Sequence, residues 1–488
     1  MAPLAPLRIP AQVAAARPDG ELLDRDPYDG VPNVVHTEHF AVRWGDEGGV
    51  LEDEAAQLAS YFEDGWATEI EEMGHPAPPG TDTWYFNVYI GDTGSGTPDG
   101  QGAAGFYNSD PEGYPMVVVA RDTLYDMDYT AITAVHEFYH AIQHGLGTYR
   151  YSGVAAWFWE ATAEWISGYV YPENEYSATF LFSFAFLPHL PVNYFNYPDT
   201  GTLDEYHQYG AFIFPRYLSE HAADWTIIRD AWVDGGSSDP LEVLDVELEE
   251  RGLMLDEVFT DFAAHNAAWD YEDHDTYLYF MDSYETWYAA DDHRIMAEIP
   301  AGGTEGMEAA DPELLPQRYG YNVIHLSAPK AGTWTLGFAG DSAGDAGSPA
   351  SFGVTAVSVL HGELTYSPLS LTDGAGELDL SMSGEESDLY LTVAAWTPEL
   401  VDGERFGYQW SAGWEAPAGE GEGEGEGEGE GEGEKPVGCA CAVGEQGAED
   451  PGAVLLLSAG ALYGLGRARV SRRTPSPSEK VRSDSTQG

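Results

Sequence analysis

The sequence predicts an α+β domain, made of a mixed-sheet lobe and a mostly helical lobe, followed by a β-sandwich and a disordered acidic stalk. Three observations carry this prediction. Strand-like and helix-like runs interleave early and then give way to helical runs until about residue 290. Beyond it come short alternating runs separated by Gly, Ser and Asp, and from Glu420 to Glu434 Glu and Gly simply alternate. At 488 residues, 43% hydrophobic and 13% aromatic, the chain has ample material for a core and for two or three domains.

The first lobe begins with strand candidates at His36–Trp44 and Thr83–Ile90, flanking a helix from about Leu51 to Met73. Two further extended runs, Gly105–Tyr107 and Met116–Ala120, bracket a turn at Asn108–Gly113 and read as a hairpin. Its acidic tip is a candidate Ca2+ site.

Next comes His136-Glu137-Phe138-Tyr139-His140. On a helix, positions i and i+4 share a face, so both imidazoles can reach one metal while Glu137 lies beside them. The helical context is present: Asp128 offers an N-cap, Ile132, Val135, Tyr139 and Ile142 recur at helical spacing, and Gly145 and Gly147 end the run. A catalytic zinc takes three protein ligands and leaves a position for water, so a third ligand is expected. Trp157–Trp165 reads as a second helix that places Glu160 and Glu164 on one face among aromatics, where unpaired carboxylates are costly. A metal removes that cost for Glu160, and Glu164 is placed to hold the ring N–H of His136 or His140. His144, four residues past His140, reads as structural, because a fourth ligand would close the site to water.

Nineteen residues separate His140 from Glu160, and a further acid follows four positions on. That pattern resembles the thermolysin-like gluzincins, zinc peptidases with two histidines and a downstream glutamate. The resemblance implies a zincin fold with His136, His140 and Glu160 as Zn2+ ligands, Glu137 as general base and Glu164 orienting a histidine. Trp159 stands where thermolysin has an asparagine and Glu164 where it has an aspartate, so the likeness is to the broad clan. A metzincin pattern fails, because its Gly and third His would fall on Gln143 and Leu146. The implied chemistry is hydrolysis of a protein or peptide substrate by a zinc-bound water that Glu137 activates. An oxyanion donor is sought at Asp204–Gly210, where His207-Gln208-Tyr209-Gly210 loosely resembles the Tyr-x-x-Gly of the aminopeptidase branch; His207 and Tyr209 are the candidates, with plain packing as the alternative reading. The Gly-x-Met-Glu-Asn motif that holds a substrate's free amine in that branch is absent, which favours an endopeptidase.

Helical segments continue at about Asp204–His221, Trp225–Val233 and Leu255–Trp269, giving the second lobe, with the cleft expected between the lobes. Runs at Tyr321–Leu326, Gly332–Phe338, Ser351–Val357 and Asp388–Ala395 supply sandwich strands. They resemble the accessory modules of secreted bacterial peptidases, which implies either polymer or surface binding or a cap on the catalytic part.

With 84 acidic against 20 basic residues, the formal net charge is −64. This excludes a nucleic-acid partner and argues against charge-driven binding to anionic membranes, and it suits a saline or calcium-rich habitat. Cys439 and Cys441 are the only cysteines, so no disulfide framework exists. After the Glu/Gly stalk come Gly438-Cys439-Ala440-Cys441, an apolar run at Pro451–Gly466, and Arg467, Arg469, Arg472 and Arg473. That order resembles the MYXO-CTERM type of C-terminal sorting signal. It implies a short membrane helix before processing, a sorting protease that cuts near Cys439 with the cysteine as a lipidation candidate, and a product at the cell surface or outer membrane, or secreted. Met1–Ala16 lacks a basic n-region and a continuous apolar run, and Ala14–Ala16 reads as the remnant of a signal peptide.

The resulting division is 1–33 N-terminal segment, 34–290 catalytic domain, 291–415 sandwich, 416–438 linker, 439–473 sorting signal and 474–488 tail. The expected function is an exported zinc endopeptidase; the alternative is a non-catalytic surface binding or adhesion protein on the same scaffold.

Overall fold

The computed structural model describes residues 22–417, apart from 29–30, 95, 198–201, 237–238, 400 and 402. The segments expected to be a signal remnant, a stalk and a sorting tail with its cysteine motif lie outside the described residues.

Five strands open the fold: β1 (Asn33–His36), β2 (Phe40–Trp44), β3 (Phe86–Gly91), β4 (Gly105–Ser109) and β5 (Pro115–Ala120), arranged β1-β2-β3-β5-β4. The central strands β2, β3 and β5 run parallel, while β1 and β4 lie antiparallel at the edges. Buried on both faces, the central strands are almost continuously apolar, as at Met116–Val119. Helix α1 (Glu52–Trp66), continued by a π-helical turn at Ala67–Glu72, and α2 (Met127–Leu146) pack on one face. The other face is covered by Tyr28 and Val31.

The cap of helix α2 lies two residues before the expected one. Asp126, not Asp128, is the N-cap, and its carboxylate accepts the N–H groups of Asp128 and Tyr129. Gly147 ends the helix at φ 66°, a conformation glycine adopts without strain. Every residue from Thr130 to Gln143 is buried, so α2 is a central spine with protein on all sides.

The helical lobe holds α3 (Ala156–Val170), α4 (Leu181–Ala185), α5 (His207–Gly210), α6 (Ile213–Tyr217), α7 (Thr226–Val233), α8 (Pro240–Glu250), α9 (Leu255–Ala268) and α10 (His274–Tyr288). The single helix expected at 204–221 is instead broken into a 3-10 turn, α5, α6 and a π turn. Gly210 explains part of this, since a Cβ there would lie 2.6 Å from the Phe180 carbonyl oxygen, and Pro215 lacks an N–H to donate. Helices α8 and α10 were not anticipated. The first begins with Asp239 capping Leu241 N–H at 3.0 Å and Pro240 in the first turn.

Strands resume with β6 (Ala297–Glu298), β7 (Glu308–Ala309), β8 (Gly320–Ser327), β9 (Gly332–Gly340), β10 (Ser351–Leu360), β11 (Glu363–Pro368), β12 (Ala375–Met382), β13 (Glu386–Trp396) and β14 (Tyr408–Glu415). They form two sheets, β11-β10-β13-β8-β6 and β12-β9-β14-β7, around a core that includes Trp334, Leu336, Leu391 and Trp410. The first sheet also packs on α9. Tyr321 and Val323 share a core with Phe259 and Phe262, and Asn266 donates to the Tyr321 hydroxyl at 3.1 Å. Among the described residues no helix is long and apolar enough to cross a membrane.

Candidate metal centre

One turn of α2 brings His136 and His140 onto the face that meets α3, with their ring centres 4.7 Å apart. Glu160 of α3 enters between them. Its Oε2 lies 3.3 Å from His136 Nε2 and 3.4 Å from His140 Nε2. These three buried residues offer ligand atoms that all lie within 4.8 Å of one another. Two imidazole nitrogens and one carboxylate oxygen form a three-ligand set of the kind that binds a divalent metal and leaves a coordination position open.

The surrounding groups fix which ring nitrogens face inward. Gln143 Nε2 donates to the Trp159 carbonyl at 3.0 Å and to Thr162 Oγ1 at 3.0 Å, so its Oε1 must be the atom 2.6 Å from His140 Nδ1. A carbonyl oxygen only accepts, which puts the proton on His140 Nδ1 and leaves Nε2 with a bare lone pair toward Glu160. Thr162 is itself anchored, donating to the Phe158 carbonyl and accepting from Trp232 Nε1. On the other imidazole, His136 Nδ1 faces Glu164 Oε1 at 3.6 Å. The second oxygen of Glu160 accepts the Tyr151 hydroxyl at 2.5 Å.

The electrostatics favour positive charge at this point. Burial opposes protonation of His136, yet its bond to Glu160 and the charges of Glu164 and Glu137 raise its pKa to about 9. Burial works against ionised Glu160 too, but the two imidazoles hold its pKa far below the ordinary carboxylate range. Glu164 is pushed up to about 7, chiefly by burial. Glu137 is raised by burial, with the two histidines and a backbone hydrogen bond from Tyr107 acting the other way. Its Oε2 is buried without a hydrogen-bond partner among the described residues. A divalent cation suits a cluster that raises an imidazole and ionises the carboxylate between two of them.

The edge strand β4 runs alongside. A Cβ on Gly105 would stand 3.1 Å from Glu137 Cγ, so glycine lets the strand approach the helix this closely. Ala104 accepts the N–H of Ala120 across the hairpin, which turns the N–H and C=O of Gly105 and Tyr107 toward the open side. His144 takes a structural position, with Nδ1 2.8 Å from the Tyr107 hydroxyl. The hairpin tip is not a free acidic cluster, as Arg25 pairs with Asp110 at 2.5 Å and with Glu112 at 3.2 Å. The carboxylates proposed for Ca2+ are therefore already held by a guanidinium.

The two candidate oxyanion donors part company. Tyr209 stands with its ring 6.2 Å from that of His136. His207, two residues earlier, points to the opposite side of the short helix, fully buried, with its ring 5.0 Å from Phe184 and 5.5 Å from Tyr194. The short helix thus brings Tyr209 to the site and keeps His207 in the core. Sequence reasoning missed Gln143 and Tyr151. Gln143 was legible, since it stands three residues from His140 on the same helix face. Tyr151 lies in an irregular segment with no periodicity to mark it.

No curated protein matches the chain. Residues 11–416 match the family model described as a family of unknown function, DUF6055. As that match takes in the whole of the metal centre and both sheets of the sandwich, the chain belongs to DUF6055.

Proposed function

We propose that this protein is an exported or cell-surface zinc endopeptidase of the thermolysin-like gluzincin type. The observation that carries the proposal is the convergence of His136 Nε2, His140 Nε2 and Glu160 Oε2 beside the unpartnered Oε2 of Glu137. His136, His140 and Glu160 would hold the metal. When bound, the ion supplies Lewis-acid chemistry, polarising the scissile carbonyl and acidifying water. Glu137 takes the proton of the attacking water and returns it to the leaving amine; its raised pKa suits both transfers. The Tyr209 hydroxyl, kept protonated by burial and by the charge of Glu160, is the donor for the developing oxyanion. The outward-facing backbone of β4 is placed to pair with an extended substrate chain.

The sorting-type tail and the stalk of the sequence support delivery outside the cell, with the sorting protease and the membrane as transient partners. Fractionation of cells into cytoplasm, membrane and medium tests that part.

The activity is tested by incubating full-length protein with casein, with and without a chelator, beside Glu137→Gln. Cleavage is expected to stop in chelator and to fall by about 10²–10⁴-fold in the variant. Cleavage that survives either treatment would refute the mechanism. No cleavage by the metal-loaded protein would instead favour the surface-binding alternative.

A further inference from the structure

Away from the metal centre, a cleft of about 360 Å³ opens where α9, α10 and the segment after α10 meet strands β8 and β13. Its size falls within the range of small-ligand sites, and domain junctions are where such sites concentrate. We propose that this cleft binds a neutral saccharide.

The walls carry both halves of the chemistry that a sugar ring requires. Tyr390 and Trp269 contribute aromatic surface, and the Tyr390 ring is held in place by stacking on His325 at 4.7 Å. His325 is fixed in turn by Asp388 at 2.8 Å and Glu298 at 3.2 Å. Trp269 caps α9 at φ 53°, and its largely buried side chain forms part of the cleft lining.

Hydrogen-bonding capacity is left over on both sides of the ledger of donors and acceptors. Asp292 grips Nε and Nη2 of Arg294, at 3.0 Å and 2.7 Å, while Nη1 has no partner among the described residues. The Tyr321 hydroxyl accepts from Asn266, and its own proton remains to be donated. Glu285, exposed at the rim, lies 3.7 Å from Arg294 Nη2 through Oε2, and its other oxygen, with no partner among the described residues, offers an acceptor.

Charge narrows the ligand class. An anion would meet Glu285, Asp292 and, close by, Glu298 and Asp388. A cation would meet the Arg294 guanidinium. A neutral polyhydroxylated ring satisfies both kinds of group and lays its C–H face on the aromatics. The inference does not depend on the metal centre.

The test is calorimetric titration of full-length protein with neutral oligosaccharides derived from cellulose, starch, mannan and chitin, beside an acidic oligogalacturonide and a lysine-rich peptide. Saturable binding is expected for at least one neutral series. It should weaken about tenfold or more in Tyr390→Ala and in Glu285→Ala, and remain unchanged in chelator and in Glu137→Gln. Glu285 is on the surface, so its variant reports on the cleft even where Tyr390→Ala disturbs folding. Absence of saturable binding by every neutral series, tighter binding of the peptide or the acidic sugar, or binding unaltered by both cleft variants would overturn the proposal.

Discussion

Gln143 Oε1 lies 2.6 Å from His140 Nδ1, and the carbonyl of Trp159 dictates which way round that amide stands. A residue with no place in the five-residue motif thereby settles which nitrogen of His140 is available to a metal. Gln143→Leu, similar in size but without the acceptor, is expected to weaken metal binding about 10–100-fold. Competition with a chromophoric chelator measures it, and an unchanged affinity would show that the ring needs no such restraint.

Tyr151 acts on Glu160, the third of the candidate ligands. Its hydroxyl is 2.5 Å from Glu160 Oε1 and leaves Oε2 to face the two imidazoles. In Tyr151→Phe the carboxylate loses that restraint, and metal affinity is expected to drop by about tenfold in the same competition assay.

Because the candidate ligands come from two helices, α2 and α3, a bound metal should stabilise the fold. At a free metal concentration of about 100 times Kd, the gain is about 2.7 kcal/mol. Urea unfolding with and without added zinc should show that increment in the parent protein and lose it in His140→Ala.

Glu69 is fully buried, and neither carboxylate oxygen has a partner among the described residues. Burial pushes its pKa well above the usual 4.5. The native state therefore takes up a proton at a pH where the unfolded chain does not, so Glu69 costs stability above its folded pKa and the cost fades as pH falls toward 4.5. Glu69→Met is expected to stabilise the protein by about 1–3 kcal/mol at pH 8, less at each lower pH. A difference in unfolding free energy that is flat with pH would contradict this.

His207 behaves in the opposite sense. Among the described residues neither ring nitrogen finds a hydrogen bond of ordinary geometry, and burial lowers its pKa to about 3. Between the ordinary value of 6.5 and about 3 the unfolded chain binds a proton that the native state does not, so stability falls as pH drops through that window. The slope for such a group is about 1.4 kcal/mol per pH unit. His207→Phe should remove that contribution from an unfolding series run from pH 7.5 to 4.5, while His75 and His189, each lowered to about 4 mainly by burial, retain theirs.

Much of the architecture was legible because periodicity is a local property. The alternation in Ser351–Val357 and the 3.6-residue spacing in Ile132–Ile142 each identify the type of element, strand and helix, although α2 is buried all round. Legibility failed where backbone geometry answers to distant groups. The stretch 204–221 carries a helical pattern, yet Gly210 is packed on the Phe180 carbonyl and the helix breaks into short pieces. Two residues apart on one short helix, Tyr209 and His207 point to opposite sides, so Tyr209 lies near His136 and His207 stays in the core.

What the sequence determined by itself was the set of candidate ligands: two imidazoles one helical turn apart, a carboxylate beside the first, and a second pair of acids at helical spacing. Those relations hold on any α-helix, whatever packs around it. Only the tertiary structure decided how Glu160 meets the two imidazoles, that Tyr151 holds Glu160, and that Arg25 occupies the acidic hairpin tip. Each of these joins residues from separate elements or irregular segments, and their meeting depends on how the elements dock, which no local pattern records.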